Sequence, residues 1–487
     1  MKFKNLQKFI EFLEKHKELK KINFPVHPKL EITEIARRTI LKKGPALFFQ
    51  NPIGSEYPLL CNLFGNEKRI LFGIGIEKKK SLRKIGKIFS FFRNPTPPKN
   101  FRDMVKKFSI YRRIFHTYTK EVKYASCQEI VVGKKKVDLF EFPIMHCWPK
   151  DSGKLITWGI TTTKSLSNNR QNLGIYRLQV ISKNKLLIRW FPQRGGEIDF
   201  QEWKKNNKEK FPISIFIGSD PITILSAVMP VPNSLSEYSI SGILRGKNSK
   251  VVKCVSNDLR VPENSEIVLE GFIEEKSAKE GPNGDHTGFY NKEEYFPIIN
   301  IEVITRKKYP IYLSTYSGKY PDETSVLSYY MNEILIPIIQ KQFPEISDFY
   351  LPPEACSYRI ALVSIKKKYP GHAKKIMMGI WSFLQQFMYI KIIIVCEDDV
   401  NIRDWREVFW SISTCVDPYR DSLFIKYCPS DILDFASFDY GIGSKMGIDA
   451  TEKLKAESRQ TFQSKIFMNK ETCVRIEKIW KKLKIFS

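Results

Sequence analysis

The last third of the chain alternates segments with strand and helix patterns, and this alternation restricts the fold more than any other feature of the sequence. Short runs rich in Ile and Val are separated by segments in which apolar residues recur at helical spacing. Parallel strands need a long connection between them, which a helix supplies. The pattern therefore predicts a parallel α/β sheet. In chain order we predict a helix over 323–342, a strand over 358–365, a helix over 372–389, a strand over 392–396, a helix over 404–415 and a strand over 422–427.

A terminal helix is predicted over 470–483, because its apolar residues form a single stripe. Such a helix either docks on a neighbouring subunit or packs on its own domain, and the sequence leaves both possibilities open. The stripe consists of Val474, Ile476, Ile479, Trp480 and Leu483.

The middle of the chain reads as many short strands with few helices, which is typical of a barrel-like β domain. Residues 183–184 make a plausible hairpin turn between two of these strands. Two helices, over 221–228 and 234–244, interrupt the series. The predicted strands cover 156–164, 173–182, 185–192, 213–218, 251–256, 266–274, 297–304 and 311–316.

The N-terminal part begins with an amphipathic helix, followed by a second helix over 32–41 and short strands over 46–50 and 59–62. The prolines of 94–98 indicate a loop or linker. The first helix is recognised by apolar residues at i, i+3, i+4 and i+7, namely Leu6, Phe9, Ile10 and Leu13.

These segments divide the chain into three predicted domains. With 487 residues, 42% of them apolar, the chain is long enough for more than one core. We predict a mixed fold with an N-terminal α/β domain (1–115), a central β domain (116–320), and a C-terminal α/β domain that ends in the terminal helix (321–487).

The net charge of +28 suggests that the protein binds nucleic acid or an anionic membrane. A compositional drift toward Lys is the alternative explanation. The basic residues are scattered in short runs and no nucleic-acid-binding module is present, so no specific nucleic-acid partner is expected. The nine cysteines are irregularly spaced and form no C-x-x-C pair, which predicts a reducing compartment and no thiolate zinc site.

No targeting or membrane-spanning segment is predicted. Lys and Glu interrupt the first 20 residues, so these lack a signal-peptide core. The most apolar stretch, 376–396, contains Gln385, Gln386 and Lys391 and reads as a buried helix followed by a strand. We expect a cytoplasmic protein that can also contact the membrane surface.

The most conspicuous candidate site is the loop over 280–288, which lies between two predicted strands. Glu280 and Asp285 bracket a Gly-Pro turn, and His286 follows. Paired acids in unlike surroundings can divide proton-donating and charge-stabilising roles. The alternative is a polar hairpin tip, in which Asn, Gly and Asp are ordinary turn residues.

The segment over 170–177 offers a second candidate. Asn172 can supply a neutral oxygen to a hard cation, and Arg177 can bind a phosphate or a carboxylate. In a regular strand the two would point to opposite faces, so a shared site predicts a bulge or an irregular strand near Gly174. The alternative is a pair of ordinary solvated strand residues.

Two further acidic motifs are ambiguous. Ser234 and Glu237 match the S-x-x-E capping box, yet a carboxylate there could also meet a metal or phosphate near a helix N-terminus. The run 397–399 follows a predicted strand and suggests a Mg²⁺ site, but we favour capping of the next helix because no phosphate loop accompanies it. No Walker A loop, H-E-x-x-H motif or nucleophile elbow is present.

Taken together, these segments resemble the UbiD family of prenylated-flavin-dependent decarboxylases over nearly the whole chain. Each segment is short, but seven of them in order make a specific signal. They are LEITEIA at 30–36, CNLFG at 61–65, RQNLGIYR at 170–177, EGPNGDHTG at 280–288, LPPE at 351–354, GHAK at 371–374 and GSKMG at 443–447.

The resemblance implies that the central domain is a split β-barrel that binds prenylated FMN. It implies that Asn172 and Glu237 bind a divalent ion, most plausibly Mn²⁺, that bridges to the cofactor phosphate. Relatives often carry a His where this chain has Gln193, which leaves a third ligand open. The residues implied to contact the cofactor are Ile175, Tyr176, Arg177, Arg189, Trp190, Phe191, Arg194 and Gly195.

The resemblance also implies an Arg-acid-acid catalytic network of Arg177, Glu280 and Asp285, with Asp285 as the proton donor. The expected reaction is decarboxylation of 3-polyprenyl-4-hydroxybenzoate to 2-polyprenylphenol in ubiquinone biosynthesis. Alternatives are another aromatic or acrylic acid, or a non-catalytic basic binding protein on the same fold. A homo-oligomer, often a hexamer in the family, and a flavin prenyltransferase that supplies the cofactor are further implications.

Overall fold

A computed structural model describes residues 3–95, 97–192, 194–206, 209–229, 235–460, 462, 464–483 and 485. The fold is mixed α/β, with four sheets and helices packed around them. None of the described helices is both long and apolar enough to span a bilayer. The helices of the described part are α1 (Leu6–Lys15), α2 (Glu31–Leu41), α3 (Glu67–Ile74), α4 (Lys80–Arg93), α5 (Phe101–Ile114), α6 (Gly195–Lys205), α7 (Pro221–Ser226), α8 (Glu237–Arg245), α9 (Glu323–Gln342), α10 (His372–Phe383), α11 (Trp405–Cys415) and α12 (Lys470–Trp480).

The strands are short in the N-terminal part and longest in the middle. In the described residues they are β1 (Leu19–Ile22), β2 (Ala46–Phe49), β3 (Leu59–Cys61), β4 (Thr119–Glu121), β5 (Ile130–Gly133), β6 (Leu155–Ile156), β7 (Gly159–Lys164), β8 (Gln171–Ile175), β9 (Leu178–Ser182), β10 (Lys185–Ile188), β11 (Phe211–Ile217), β12 (Ser249–Lys253), β13 (Arg260–Pro262), β14 (Ile267–Glu280), β15 (Glu294–Arg306), β16 (Tyr312–Leu313), β17 (Ile346–Tyr350), β18 (Ile360–Ile365), β19 (Ile392–Glu397), β20 (Ser422–Pro429) and β21 (Ile442–Ala450).

The N-terminal sheet has the order β1-β2-β3-β16. Its first helix forms because α1 buries the predicted stripe of Leu6, Phe9, Ile10 and Leu13, and the Asn5 side chain caps it by accepting from the Lys8 N–H. The last strand, β16, comes from a segment more than 250 residues further along the chain and pairs in parallel with β3. The N-terminal and central parts therefore share backbone hydrogen bonds.

The central sheet has nine strands. Eight of them follow the order β6-β9-β10-β15-β14-β11-β7-β8, and the ninth, β5, pairs with β15. Its long hairpin of β14 and β15 is irregular at two places, between Glu270 and Gly271 and between Ile273 and Ser277. In the described strands the path is open at β6 and β8, so the split barrel is not confirmed as a closed sheet. A small third sheet, β13-β12-β4, flanks it.

The C-terminal sheet corrects one prediction. Its order is β17-β18-β19-β21-β20, and β18 and β19 are parallel as the alternation predicted. Strand β21, which the alternation does not predict, is parallel to β19. The predicted third parallel strand, β20, is instead an antiparallel edge strand. The place between β19 and the edge strand belongs to β21, which is hard to recognise in the sequence because it contains two glycines and Lys445. Gly447 leaves room for Met377 of α10 to pack against the strand, since a Cβ would lie 2.4 Å from Met377 Sδ.

Helix positions agree with the predictions, with modest shifts at the ends. The predicted helix over 323–342 is α9, capped by Asp322 and Ser325. The predicted helix over 372–389 ends earlier as α10 and continues as a 3₁₀ turn. The predicted terminal helix is α12 with a following 3₁₀ turn, and its described side chains are not buried in this chain. The domain boundaries at 115 and 320 remain predictions.

Candidate active site at the β8–β9 connection and the β14–β15 hairpin

Glu280, the last residue of β14, is the centre of a buried ion-pair network. Its side chain is fully buried. Arg177 Nε donates to Glu280 Oε1 at 2.8 Å, and Arg189 Nη1 donates to Oε2 at 2.5 Å. Asn283 Nδ2 donates a further bond of 2.9 Å to Oε1. One carboxylate therefore compensates two guanidinium groups, and removing it would leave buried charge behind.

Asp285, the second predicted acid, has one carboxylate oxygen without a partner. Thr287 donates to Asp285 Oδ1 from its backbone N–H at 2.9 Å and from its hydroxyl at 2.5 Å. Oδ2 is buried and has no hydrogen-bond partner within the described structure. A buried polar atom in this state is costly, so it marks a place where a ligand or a proton belongs.

Arg177 and Asp285 belong to one site electrically as well as spatially. Burial lowers the pKa of Arg177, while the negative charges of Glu280 and Asp285 act in the opposite direction. Arg177 Nη2 also donates to Asn291 Oδ1 at 2.7 Å. The three predicted catalytic residues are thus brought together, although Glu280 and Asp285 stand on different parts of the hairpin loop.

Arg177 reaches this site because the predicted strand over 173–182 is broken in two. Strand β8 ends at Ile175, β9 begins at Leu178, and the two pair with different neighbours. Of the two kinds of irregularity expected near Gly174, the bulge is wrong, since β7 and β8 pair in continuous register from Ile160↔Ile175 to Lys164↔Gln171. The change of direction lies after Ile175, where the chain leaves one pairing partner for another.

The residues predicted to contact a cofactor gather around the N-terminus of α6. Gly196 N–H donates to the Tyr176 hydroxyl at 3.0 Å, and the rings of Tyr176 and Trp190 lie with their centroids 6.0 Å apart. A Cβ on Gly195 would lie 2.1 Å from Asn172 Oδ1, so only glycine allows this approach. The N-terminus of α6, the rings of Tyr176 and Trp190, and Asn172 therefore lie close together. We call this region the α6 corner.

Further members of the predicted cofactor set lie on either side of this corner. Arg189 N–H donates to Arg177 O at 3.0 Å, which ties the start of the 189–191 segment to the β8–β9 connection. The Arg189 guanidinium lies 5.2 Å from the Phe191 ring centroid. Arg194 is the N-cap residue of α6 and is exposed. Ile175 is half-buried at the end of β8.

Glu237 lies next to Asn172, but not in the role that the capping box predicts. Ser234 is outside the described residues, and Ser236 is the residue that caps α8, with Glu237 first in the helix. The backbone N–H of Leu173 donates to Glu237 Oε2 at 2.7 Å. Burial raises the pKa of Glu237 to about 7. The negative charge of such a buried carboxylate is poorly compensated until a cation or a proton binds to it.

Further polar groups lie around Asn172 and Glu237, and one of them is the acid Asp199. Asn172 Nδ2 is buried without a hydrogen-bond partner in the described structure. Burial also raises the pKa of Asp199 to about 6, and the Thr163 hydroxyl donates to it. Across the described ranges, no group of three or more His, Cys, Asp or Glu is arranged to hold a metal. Gln193, the residue in question as a third ligand, falls outside those ranges.

A polar chain joins the acid loop to the C-terminal sheet. The Tyr358 hydroxyl donates to Asp431 Oδ2 at 2.5 Å, and His286 Nε2 lies 3.2 Å from the same hydroxyl. Because the single hydroxyl proton is used on Asp431, His286 Nε2 must be the donor to Tyr358. Arg359 Nη2 also donates to Asp431 at 3.3 Å. The loop that carries Asp285 is therefore anchored on the C-terminal part of the chain through Tyr358.

The acidic run over 397–399 begins at the last residue of β19, and the Mg²⁺ site suggested there stays a prediction. The capping prediction is wrong, because α11 begins later and is capped by Asp404, whose side chain accepts from the Arg406 N–H. Asp399 forms a 2.7 Å ion pair with Lys465. Burial raises the pKa of Glu397 to about 7, with the charge of Glu452 acting in the same direction.

Glu397→Gln is expected to raise the thermal midpoint of unfolding above pH about 7 and to leave it unchanged near pH 4.5. The folded-state pKa lies above the ordinary value of 4.5, so ionisation favours the unfolded chain increasingly between these values. The amide removes that penalty. Scanning calorimetry at the two pH values measures the difference. Asp399→Asn is the control and should raise the midpoint at neither pH, and a gain for Glu397→Gln at both pH values would contradict the reasoning.

Several polar residues of the site are absent from the sequence predictions. Asn283 and Asn291 complete the Arg177–Glu280 network, and Glu294 accepts from Arg189 Nη2. The register of the hairpin, which sets Glu280 opposite Glu294, is the signal that could have found the last of these. The His286–Tyr358 contact joins residues 72 positions apart and carries no local signal.

The arrangement supports a limited range of chemistry. A buried cation pair, held by Glu280, can bind a carboxylate. An acid with one free oxygen can give a proton to a nearby atom. The α6 N-terminus beside Asn172 and Glu237 can receive an anionic group together with a cation.

Three family profiles match successive parts of the chain. The 3-octaprenyl-4-hydroxybenzoate carboxy-lyase N-terminal domain of UbiD matches residues 10–89. The Rift-related domain of the same carboxy-lyase matches residues 120–320. Its C-terminal domain matches residues 325–450. The matches together cover most of the chain and occur in the order of the domains.

Solved structures of the same class share the fold over nearly the full length. Vanillic acid decarboxylase from Sedimentibacter hydroxybenzoicus, in its closed form, is 26% identical with a TM-score of 0.85, and 99% of each chain is covered. The UbiD-class enzyme HmfF from Pelotomaculum thermopropionicum, in complex with FMN, is 24% identical with a TM-score of 0.78, over 95% of this chain and 97% of that one. The 3,4-dihydroxybenzoic acid decarboxylase AroY of Klebsiella pneumoniae is 19% identical with a TM-score of 0.76, over 97% and 99%.

The profile matches extend across all three parts of the chain, and the structural likeness extends across all of its sheets. The buried Arg-acid network, the α6 corner and the anchored acid loop all lie within the matched ranges. The chain therefore belongs to the UbiD family and is an enzyme of the carboxy-lyase class.

Proposed function

We propose that this enzyme decarboxylates 3-polyprenyl-4-hydroxybenzoate to 2-polyprenylphenol in ubiquinone biosynthesis, with prenylated FMN and Mn²⁺ as cofactors. The observation that carries the proposal is the buried, unpartnered Oδ2 of Asp285 in the electrostatic environment of Arg177. Loss of CO₂ leaves a ring carbon that must receive a proton, and a carboxylic acid whose second oxygen has no partner can supply it. Vanillic acid, the substrate named for one relative, is itself a 3-substituted 4-hydroxybenzoic acid, which supports the ring class.

Arg177 is the group proposed to hold the substrate carboxylate. Its Nε and Nη2 are used by Glu280 and Asn291, so Nη1 is the donor left for a substrate within the described structure. Glu280 keeps the guanidinium in one orientation, and burial of the pair excludes water around it. A site with little water favours release of neutral CO₂ from a charged carboxylate.

The α6 corner fits the phosphate and ring of a flavin nucleotide. The first peptide groups of α6 point out of a helix N-terminus, where anions bind. Trp190 Nε1 is buried and has no hydrogen-bond partner in the part of the chain described here, and the Tyr176 ring lies beside it. When bound, prenylated FMN supplies an electron-accepting ring to the reaction. The complex of HmfF with prenylated FMN supports this cofactor class.

Asn172 and Glu237 are the residues proposed to bind Mn²⁺. Both offer oxygen ligands, which suit a hard divalent ion. The raised pKa of Glu237 and the unpartnered Nδ2 of Asn172 indicate a corner whose polar groups are incompletely satisfied by the protein itself. A cation there would compensate the Glu237 charge and link it to an anionic cofactor group.

Glu237→Gln is expected to weaken Mn²⁺ binding by at least about tenfold, because a neutral amide oxygen replaces a charged ligand. The amide oxygen can still accept from the Leu173 N–H, so the fold should be retained. Titration of Mn²⁺ followed by electron spin resonance measures the affinity. Glu202→Gln is the matched control, since Glu202 accepts from the 165–167 loop instead. Unchanged Mn²⁺ affinity in Glu237→Gln would place the metal elsewhere.

We also propose partners and a cellular location for the enzyme. A flavin prenyltransferase is required as the source of the cofactor. The exposed stripe of α12 supports a homo-oligomer, for which we propose a hexamer. We propose a cytoplasmic enzyme with peripheral contact to the inner face of the cell membrane, since its substrate would carry a long apolar tail.

Two other functions remain as alternatives. Within the family, the substrate could be another aromatic or acrylic acid acted on with the same cofactor. A non-catalytic basic binding protein is the alternative from a different class, and the high net charge is the observation in its favour. The joint presence of Arg177, Glu280 and Asp285 in one buried network weighs against it.

The test is CO₂ release from 3-prenyl-4-hydroxybenzoate. The full chain is produced together with a flavin prenyltransferase and supplied with Mn²⁺, and vanillate is offered in parallel. Release from the prenylated acid in preference to vanillate would support the proposal. Release from vanillate alone, by protein shown by mass spectrometry to hold prenylated flavin, would overturn the substrate. Folded protein with neither flavin nor activity would favour the basic binding protein.

A further inference from the structure

Helix α5 turns its most apolar face away from the protein. Residues at i, i+3, i+4 and i+7 normally face a core. Here these positions are exposed, with Phe101 at 74% and Phe108 at 66% of their full accessible surface. Phe115, four turns along the same face, is 74% exposed. We call this the outer face of α5, and its members are Phe101, Met104, Val105, Phe108 and Phe115.

Two side-chain contacts attach α5 to the molecule, one from Tyr111 at the edge of the outer face and one from Arg113 on the far side of the helix. Tyr111 packs edge-on against Phe91 of α4, with ring centroids 5.3 Å apart. Arg113 Nη1 donates to Ile243 O of α8 at 3.0 Å. Asn100 caps the helix by accepting from the Asp103 N–H at 2.9 Å. The helix is therefore held in one orientation, and the outer face is not the product of a loose segment.

The stretch of chain that contains α5 is strongly basic. Between residues 78 and 123 the chain has fifteen Lys and Arg against two Asp and Glu, close to half of the net charge of +28 in under a tenth of the length. Lys99 and Arg102 at the start of α5 are exposed, and so is Arg112 near its end. Aromatic side chains continue beyond the helix at Tyr118 and Tyr124, both exposed.

We propose that the outer face of α5 docks on an anionic lipid surface. A helix with bulky apolar residues on one face and basic residues beside them lies in the membrane interface, where the apolar groups leave water and the cations meet lipid headgroups. A second copy of this chain fits less well, because a symmetric contact through this face would bring two basic surfaces together. Nucleic acid would match the charge but gives no burial to Met104 and Val105.

This inference rests on the membrane contact in the proposed function and assigns it to one helix. It has a consequence for the substrate. A polyprenylated acid partitions into the bilayer, so an enzyme held at the surface meets it there instead of in water. Activity on a long-tailed substrate in vesicles should then depend on α5, whereas activity on a short-chain analogue in solution should not.

The experiment is flotation of the full chain with vesicles of phosphatidylcholine, alone or mixed with phosphatidylglycerol. We expect binding only to the anionic vesicles, and loss of about tenfold or more of that binding in the double variant Phe101→Ser/Phe108→Ser. Arg102→Gln/Arg112→Gln should lose binding severalfold and reduce its dependence on salt. Phe24→Ser, which removes a similarly exposed aromatic residue outside α5, is the matched control and should bind like the unaltered chain.

The outcomes separate the possibilities. Unaltered protein that fails to float would overturn the membrane contact, whatever its activity. Flotation that the α5 variants retain would overturn the assignment to α5 alone. Dissociation of an oligomer in Phe101→Ser/Phe108→Ser would show that a second copy covers this face, and RNA binding lost in the same variant would show a nucleic-acid partner. Flotation that depends on α5 supports the inference even where CO₂ release fails, because the two readouts are independent.

Discussion

Asp285→Asn is expected to lower the rate of CO₂ release by about a hundredfold or more, because general acid catalysis contributes on this scale. The amide keeps the size of the side chain, and its oxygen can still accept from Thr287, so the loop geometry should survive. The proton of the acid is lost. The measurement is the turnover rate with 3-prenyl-4-hydroxybenzoate, together with the flavin absorbance that reports cofactor content.

The control for this prediction is Asp398→Asn, an exposed acid in the C-terminal sheet region. It should retain both activity and flavin. Asp285→Asn that retains flavin and loses turnover would locate the defect in the reaction itself. Full turnover in Asp285→Asn would contradict the role of this acid and direct attention to His286, the neighbouring titratable side chain on the same loop.

Most of the fold could be predicted where local pattern and tertiary environment agree. The stripe of α1, the bounds of α9 and the alternation of β18, α10 and β19 all follow from apolar periodicity. Strand β21 could not be predicted in this way. It lies inside the sheet between β19 and β20, yet Lys445 lies within it and donates to the carbonyl of Ile390 at 3.0 Å. Tertiary contacts, absent from a local pattern, make these residues fit.

The break between β8 and β9 shows the same limit at the site itself. Residues 173–182 read as one strand because their apolar content is continuous, whereas the chain changes pairing partner after Ile175. That change, and not a bulge, brings Arg177 to Glu280. The types of residue at the site were predictable from the sequence and its resemblance. Their geometry was not, because it depends on pairing between strands far apart in the chain.

The apolar residues of α5 recur at helical spacing, but they face outward and not toward a core. A helix whose apolar face lies on the outside has the same periodicity as one that packs on a core. The sequence therefore cannot state which side of such a helix meets the protein. Only the contacts of Tyr111 and Arg113 settle the orientation.

The Arg177–Glu280–Arg189 network makes the structure depend on one acid. The guanidinium groups of Arg177 and Arg189 are both buried beside Glu280. Each has one further partner, Asn291 for Arg177 and Glu294 for Arg189. Removing one member of a buried ion network is far more damaging than the net value of the network suggests, because the remaining charges lose their compensation.

Glu280→Ala is therefore expected to destabilise the fold by about 3–5 kcal/mol, and the further partners of the two arginines favour the lower value. The urea midpoint of unfolding, followed by tryptophan fluorescence, measures the loss. Glu294→Ala is the matched control, because Glu294 is partly exposed and Glu280 still compensates Arg189 when Glu294 is removed, so the substitution should cost about 1 kcal/mol or less. Equal losses in the two variants would contradict the argument, since they would make the buried and the exposed acid equivalent. A large loss confined to Glu280→Ala would show that the geometry of the proposed carboxylate-binding arginine depends on this single buried charge.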